Sequence, residues 1–190
     1  EHVPDFDAVL AKRGRPLGED MRASVRGTTA VIPITGPIFR YANIFTMISG
    51  ATSVEETASE FRAALDNPLV ESVVLEINSP GGQVTGVSEL AQMIRSAEKP
   101  VIAYVDGMAA SAAYWIASAA SLVVINDTAI LGSIGVVTQI GLSDDKNTVE
   151  IVSTQSPRKR TDVRTDDGRA QVQATTDELA QVFIDTVAKH

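Results

Sequence analysis

The chain has no cysteine and only two histidines, His2 and His190, one near each end. The first absence excludes disulfide scaffolds, thiolate metal sites and cysteine nucleophiles, and leaves the redox compartment undetermined. The second disfavours a Ser-His-Asp triad, which would require a chain end to be held in a buried site. No run approaches the roughly 18 consecutive apolar residues of a membrane span, and residues 1–20 carry too many charges for a signal peptide. With 16 basic against 24 acidic residues the formal charge is −8, which argues against a nucleic-acid partner. What is present is 190 residues, 44% of them hydrophobic, enough for one soluble domain that buries roughly 70% of its unfolded surface. The chain starts on Glu1 and stops at His190 on what reads as an unfinished helix, so the expectation is an excised fragment with any anchor lost.

Segments alternate between a period of two and a period of 3.6, which predicts an α/β fold. Residues 1–27 are mixed and charged and read as a peripheral segment, with a short amphipathic stretch at Phe6–Leu10; the main domain is expected over residues 28–190. Ala30–Ile38 is strand-like, but Pro33 and Pro37 cannot donate ladder hydrogen bonds and push it toward a sheet edge or end. Arg40–Gly50 is apolar without clear period and reads as a mobile or partner-facing loop. Ser53 with Glu56 fits a capping box, and Val54, Ala58, Phe61 and Leu65 follow at helical spacing until Asn67-Pro68 stops the helix. Val70–Ile77 is a strand, Asn78–Gly82 a turn, Val87 to Ile94 a second amphipathic helix, and Val101–Val105 a second strand. That order is a βαβ unit, whose right-handed crossover makes the sheet parallel and puts ligands at the carboxyl ends of its strands.

Three segments at those ends could carry chemistry. Asn78-Ser79-Pro80-Gly81-Gly82 is either a tight structural turn or a loop whose backbone N–H groups stabilise an oxyanion, since adjacent glycines let the backbone approach a ligand closely. After an expected turn at Asp106-Gly107, Gly107 to Ala120 carries no charge and predicts a helix buried on all sides. Ser111 in it either caps or back-bonds, or stands as a nucleophile at a helix start among small neighbours that leave room for a carbonyl. Gly132-Ser133-Ile134-Gly135 is either a bulge in a buried strand or a hydroxyl that orients a basic group toward Ser111.

A serine nucleophile needs a base, and with both histidines terminal the remaining option is a neutral lysine. Bringing a lysine from about 10.4 to about 7 takes roughly 4 kcal/mol of desolvation and like-charge repulsion, so such a lysine is partly buried. The five lysines are Lys12, Lys99, Lys146, Lys159 and Lys189. Lys12 and Lys189 lie in peripheral helical segments, and Lys99 closes a surface helix. Lys146 has carboxylate neighbours Asp144 and Asp145 that work against a base role, whereas Lys159 lies between Arg158 and Arg160, which favour the neutral amine. A solvated basic loop is the alternative for Lys159.

Together and in this order, Asn78–Gly82, Gly107–Ala117 and Gly132–Val136 resemble the signal peptide peptidase A (S49) family of serine proteases, relatives of the Clp protease and crotonase folds. The likeness runs from about Thr28 to about Thr161 and is closer to the bacteriophage branch of head-maturation or minor capsid proteins. Ile44–Thr46, Ser49–Ser53 and Ala112-Ala113, where membrane-bound bacterial members usually carry Gly-Gly, favour that branch. The resemblance implies a ClpP/crotonase-like α/β fold with a parallel sheet and flanking helices. It implies Ser111 as nucleophile, a lysine base oriented by Ser133, and an oxyanion hole from the amides of Gly82 and Ala112, with Gly81 shaping the loop. Family members place the lysine some fifty residues after the serine, which suits Lys159 and not Lys146, although Gln155–Arg160 departs from the usual glycine-rich context. It further implies a polypeptide substrate bound as an extended strand, no cofactor or metal, and a ring-like homo-oligomer. The location implied is the host cytoplasm or the phage prohead, or a membrane surface if an anchor is missing. Rival readings are a fragment of a membrane-associated bacterial signal peptide peptidase, a crotonase-like acyl-CoA enzyme and a catalytically idle capsid-assembly component.

Overall fold

The computed structural model describes residues 23–42, 50–142, 155 and 161–190. Its main sheet has six strands in these residues: β1 (Ser24–Arg26), β2 (Thr29–Thr35), β5 (Ser72–Ser79), β6 (Val101–Ala110), β7 (Leu122–Ile125) and β8 (Ile130–Gly132). They run in the order β1-β2-β5-β6-β7, with β8 also on β6 beyond the end of β7. Only the β1–β2 pair is antiparallel; β2–β5, β5–β6, β6–β7 and β6–β8 are all parallel. A second, two-stranded parallel sheet joins β3 (Ile38–Phe39) to β4 (Thr52–Ser53).

Strand β2 lies one in from the edge, yet its proline obeys the edge rule locally. Strand β1 covers only Thr29 to Val31, so Pro33 pairs with β5 alone, opposite Glu76. Helix α1 (Val54–Asp66) starts at Ser53, whose hydroxyl accepts the Glu56 N–H at 3.3 Å, and ends at Asn67 before Pro68. It buries Val54, Thr57, Ala58, Phe61 and Ala64, the spacing of one helical face. Helix α2 (Val87–Arg95) buries Val87, Leu90, Ala91 and Ile94 in the same way. These faces close over a sheet interior in which Leu75, Ile77, Ala103 and Val105 have no exposed surface.

Strand β6 departs from expectation. The chain does not turn at Asp106-Gly107; the strand continues to Ala110. Its register on β5 shifts between Ile77↔Val105 and Ser79↔Ala109, a bulge that takes up Asp106-Gly107-Met108. Two features sustain the extension: β8 supplies partners for Met108 to Ala110, and the missing side chain of Gly107 leaves space for Asn78, whose Oδ1 would lie 2.8 Å from a Cβ there. Helix α3 (Ala112–Ser118) is therefore shorter than the uncharged segment, but it is buried as expected, with Ala112, Ala113, Trp115, Ile116 and Ala117 inside. Helix α4 (Asp166–Lys189) touches this body through Phe183, stacked on Trp115 with ring centroids 4.6 Å apart and planes 7° from parallel.

Candidate active site

The carboxyl ends of β5, β6 and β8 meet at one point. Strand β6 hands the chain to α3 through Ser111, a single residue at φ 53°, ψ −124°. That backbone is sparsely populated for any residue with a Cβ and costs on the order of 1–3 kcal/mol. A strained strand-to-helix turn of this kind lifts a side-chain oxygen clear of the sheet end. The strain is held by neighbours: Ser111 N–H donates to Gly132 O at 2.8 Å, and Trp115 N–H closes the first helical turn on Ser111 O at 3.0 Å. The Ser111 hydroxyl makes no capping bond, so capping is not what this serine does.

Gly81 lies against it. At φ +89° a Cβ on Gly81 would fall 2.6 Å from Ala110 O, 2.8 Å from Ser111 Cβ and 2.9 Å from Ala112 N, so only glycine fits. The following residue is pinned on its other side. Ile38 N–H donates to Gly81 O at 2.9 Å and Gln83 N–H to Ile38 O at 2.8 Å, a parallel bridge between Ile38 and Gly82. In a trans peptide the C=O and N–H point in opposite directions, so with Gly81 O aimed at β3 the Gly82 N–H faces away from β3. Ala112 N–H, in the first turn of α3, has no intrahelical acceptor either.

The structure thus brings Gly81, Gly82, Ser111, Ala112 and the Gly132-Ser133 corner together. Ser133 follows the carbonyl that receives Ser111 N–H; it is exposed and has φ 55°. Ser111 and Ser133 are the two non-glycine residues with positive φ among the described residues. Lys159 and Lys146 lie outside the described residues, as do Lys12, the Phe6–Leu10 stretch and residues 43–49 of the apolar loop. The two described lysines are elsewhere. Lys99 precedes β6, the full length of a ten-residue strand from Ser111 or about 30 Å, and its Nζ donates to Ala64 O and Asn67 O at 3.0 and 2.8 Å. Lys189 is exposed beside His190. His190 itself bonds Ser118 through Nδ1 at 3.1 Å, at the opposite end of α3 from Ser111. Desolvation, then the charge of Arg95, holds its pKa below the usual histidine value. It is no base for Ser111. Among the described residues no group of acidic or histidine side chains could hold a metal ion, and no helix is long and apolar enough to cross a membrane.

Sequence reasoning passed over Ser79. Its hydroxyl is fully buried, donates to Gly36 O at 2.6 Å and accepts Gly81 N–H at 3.1 Å. The available signal was a serine two residues before a glycine, the spacing at which a hydroxyl bonds a backbone turn.

Residues 93–190 match Peptidase family S49, and residues 30–131 match the Clp protease family. Capsid assembly protease C of Escherichia phage lambda is 30% identical over 96% of this chain and 44% of its own length. Protease 4 of Salmonella typhi is 40% identical over 60% of this chain and 18% of its own length. The chain therefore spans less than half of either relative. An enoyl-CoA hydratase from Polaromonas sp. JS666 superposes with a TM-score of 0.47 at 23% identity, over 58% of this chain and 49% of that one. The mostly parallel sheet with flanking helices is a Clp-protease-like fold, and the chain belongs to peptidase family S49.

Proposed function

We propose that this chain is a serine endopeptidase domain in which Ser111 is the nucleophile and a neutral Lys159 its general base, with the Ser133 hydroxyl orienting the amine. Lys159 takes the Ser111 proton as Oγ attacks the carbonyl carbon of a scissile peptide. The resulting oxyanion accepts hydrogen bonds from Gly82 N–H and Ala112 N–H. Collapse breaks the C–N bond as the lysine returns its proton to the leaving amine. The neutral Lys159 amine then deprotonates a water that attacks the acyl-enzyme, and the proton passes to Ser111 Oγ as the ester C–O bond breaks and the acid leaves. The observation that carries this reading is the strained strand-to-helix turn at Ser111, packed against Gly81. Among the described residues no strand pairs with the edge of Gly81–Gln83 opposite β3, which supports an extended substrate strand docking there, as in β-strand addition.

Similarity to a phage capsid assembly protease supports scaffold or capsid proteins as substrates during head assembly, in the host cytoplasm or the prohead. Exposed Leu122, Val124 and Ile125 on the outermost strand β7 support assembly into a homo-oligomer. The reading requires no cofactor.

The test is covalent labelling by a fluorophosphonate together with casein hydrolysis. Both are expected to vanish in Ser111→Ala and Lys159→Ala and to persist in Lys146→Ala, and hydrolysis is expected to rise with pH as the amine loses its proton. Labelling that survives Ser111→Ala, or a flat profile from about pH 5 to 9 where a lysine base must titrate, overturns the assignment.

A further inference from the structure

Gly81 is a flexible residue in a demanding position, and both peptide units around it are tethered. Its C=O is held by Ile38 N–H, and its N–H is held by the Ser79 hydroxyl. A hydroxyl has one proton, and in Ser79 that proton goes to Gly36 O at 2.6 Å, which leaves a lone pair for Gly81 N–H. The tether has a firm base. Gly36 N–H donates back to Asn78 O at 3.1 Å, so the end of β2 and the end of β5 are clasped by two hydrogen bonds. Ser79 is 0% exposed, so neither bond is exchanged with water.

We infer that Ser79 is a positioning residue that aims the Gly82 N–H at the developing oxyanion by fixing the Pro80–Gly81 peptide; this rests on the oxyanion role proposed above. Without the hydroxyl, Gly81 N–H and Gly36 O lose their partners and the Gly81 backbone can rotate about φ and ψ. The Gly81–Gly82 peptide is then held on its Ile38 side alone, and the Gly82 N–H pivots on that bond away from the place where negative charge forms, while the bond of Gln83 N–H to Ile38 O keeps the substrate edge. The loss falls on the transition state.

The experiment measures casein hydrolysis and inhibition by a peptide boronic acid, whose tetrahedral adduct presents an oxygen to the same donors. Rates are expressed per active site titrated with fluorophosphonate, so that a smaller folded fraction does not count. Ser79→Ala is expected to lower kcat on the order of 10- to 100-fold with KM within about threefold, and to weaken boronate binding in parallel. Ser79→Cys, close in shape and a weak acceptor, is expected to recover part of both, and it carries the comparison if the alanine variant does not fold. Ser111→Ala runs alongside. If Ser111→Ala is inactive while both Ser79 variants keep wild-type kcat and boronate affinity, the positioning role is overturned and the nucleophile stands. If Ser111→Ala remains active, the proposed function falls and this inference with it.

Discussion

Substituting Gly82 by alanine tests how tightly the oxyanion loop is located, because the clash it makes is with backbone. A Cβ at Gly82 would lie 2.1 Å from Ile38 O, 2.6 Å from Ile38 N and 2.8 Å from Ile38 C. Ordinary contact begins near 3.4 Å, so the loop and β3 must part by about 1.3 Å. Ile38 has little freedom to yield. Its side chain has no exposed surface, and its N–H and C=O are both bonded to the loop. Overpacking costs about 1–3 kcal/mol, and weakening the two bridge hydrogen bonds adds about 1 kcal/mol each. At roughly 2–4 °C per kcal/mol for a domain of this size, the melting temperature should fall by about 6–20 °C. The larger effect is on catalysis, since an ångström of misplacement at a preorganised donor costs about 100-fold in rate. Differential scanning calorimetry and casein hydrolysis per titrated site measure the two effects separately. A Gly82→Ala protein with kcat within threefold of wild type would refute the reasoning, because it would mean that the loop's distance from Ser111 does not govern the rate.

Other substitutions should separate support from chemistry. Lys99→Met removes the ammonium that binds the Ala64 and Asn67 carbonyls at the end of α1; a loss of about 1–3 kcal/mol in urea unfolding with unchanged hydrolysis is expected, and a loss of activity per folded molecule would contradict it. Phe183→Ala removes the ring stacked on Trp115, a side chain only 1% exposed; it should cost about 3–5 kcal/mol and release α4 to faster amide exchange, which unchanged protection in α4 would exclude.

The helices and parallel strands were legible because their signals are local. Ser53 and Glu56 mark the start of α1, Asn67-Pro68 marks its end, and the apolar spacing of Val87, Leu90, Ala91 and Ile94 is the buried face of α2. The turn expected at Asp106-Gly107 failed for the converse reason. A glycine after an aspartate signals a turn only when nothing beyond it continues the strand, and here β8, some twenty residues downstream, pairs with Met108 to Ala110 just past the glycine and Asn78 fills the space that a Cβ would take. Pairing at that sequence separation leaves no mark in the strand's own composition.

The same distinction divides the site. Gly81, Gly82 and Ser111 were visible because glycine and an isolated hydroxyl in an apolar run are conspicuous residue types. What holds them was not visible, because it is made of main chain: Gly132 O on Ser111 N–H, Ile38 on Gly81 and Gln83, and Gly36 under the Ser79 hydroxyl. Main-chain groups are the same at every position, so composition cannot reveal which of them are used. The strain at Ser111 follows from this. A serine at φ 53° is unfavourable in isolation, and it persists because β6 is continued into β8 pairing on one side and capped by a buried helix on the other. The extended strand that overturned the expected turn is therefore what forces the unusual backbone at Ser111 and presents its hydroxyl at the end of the sheet.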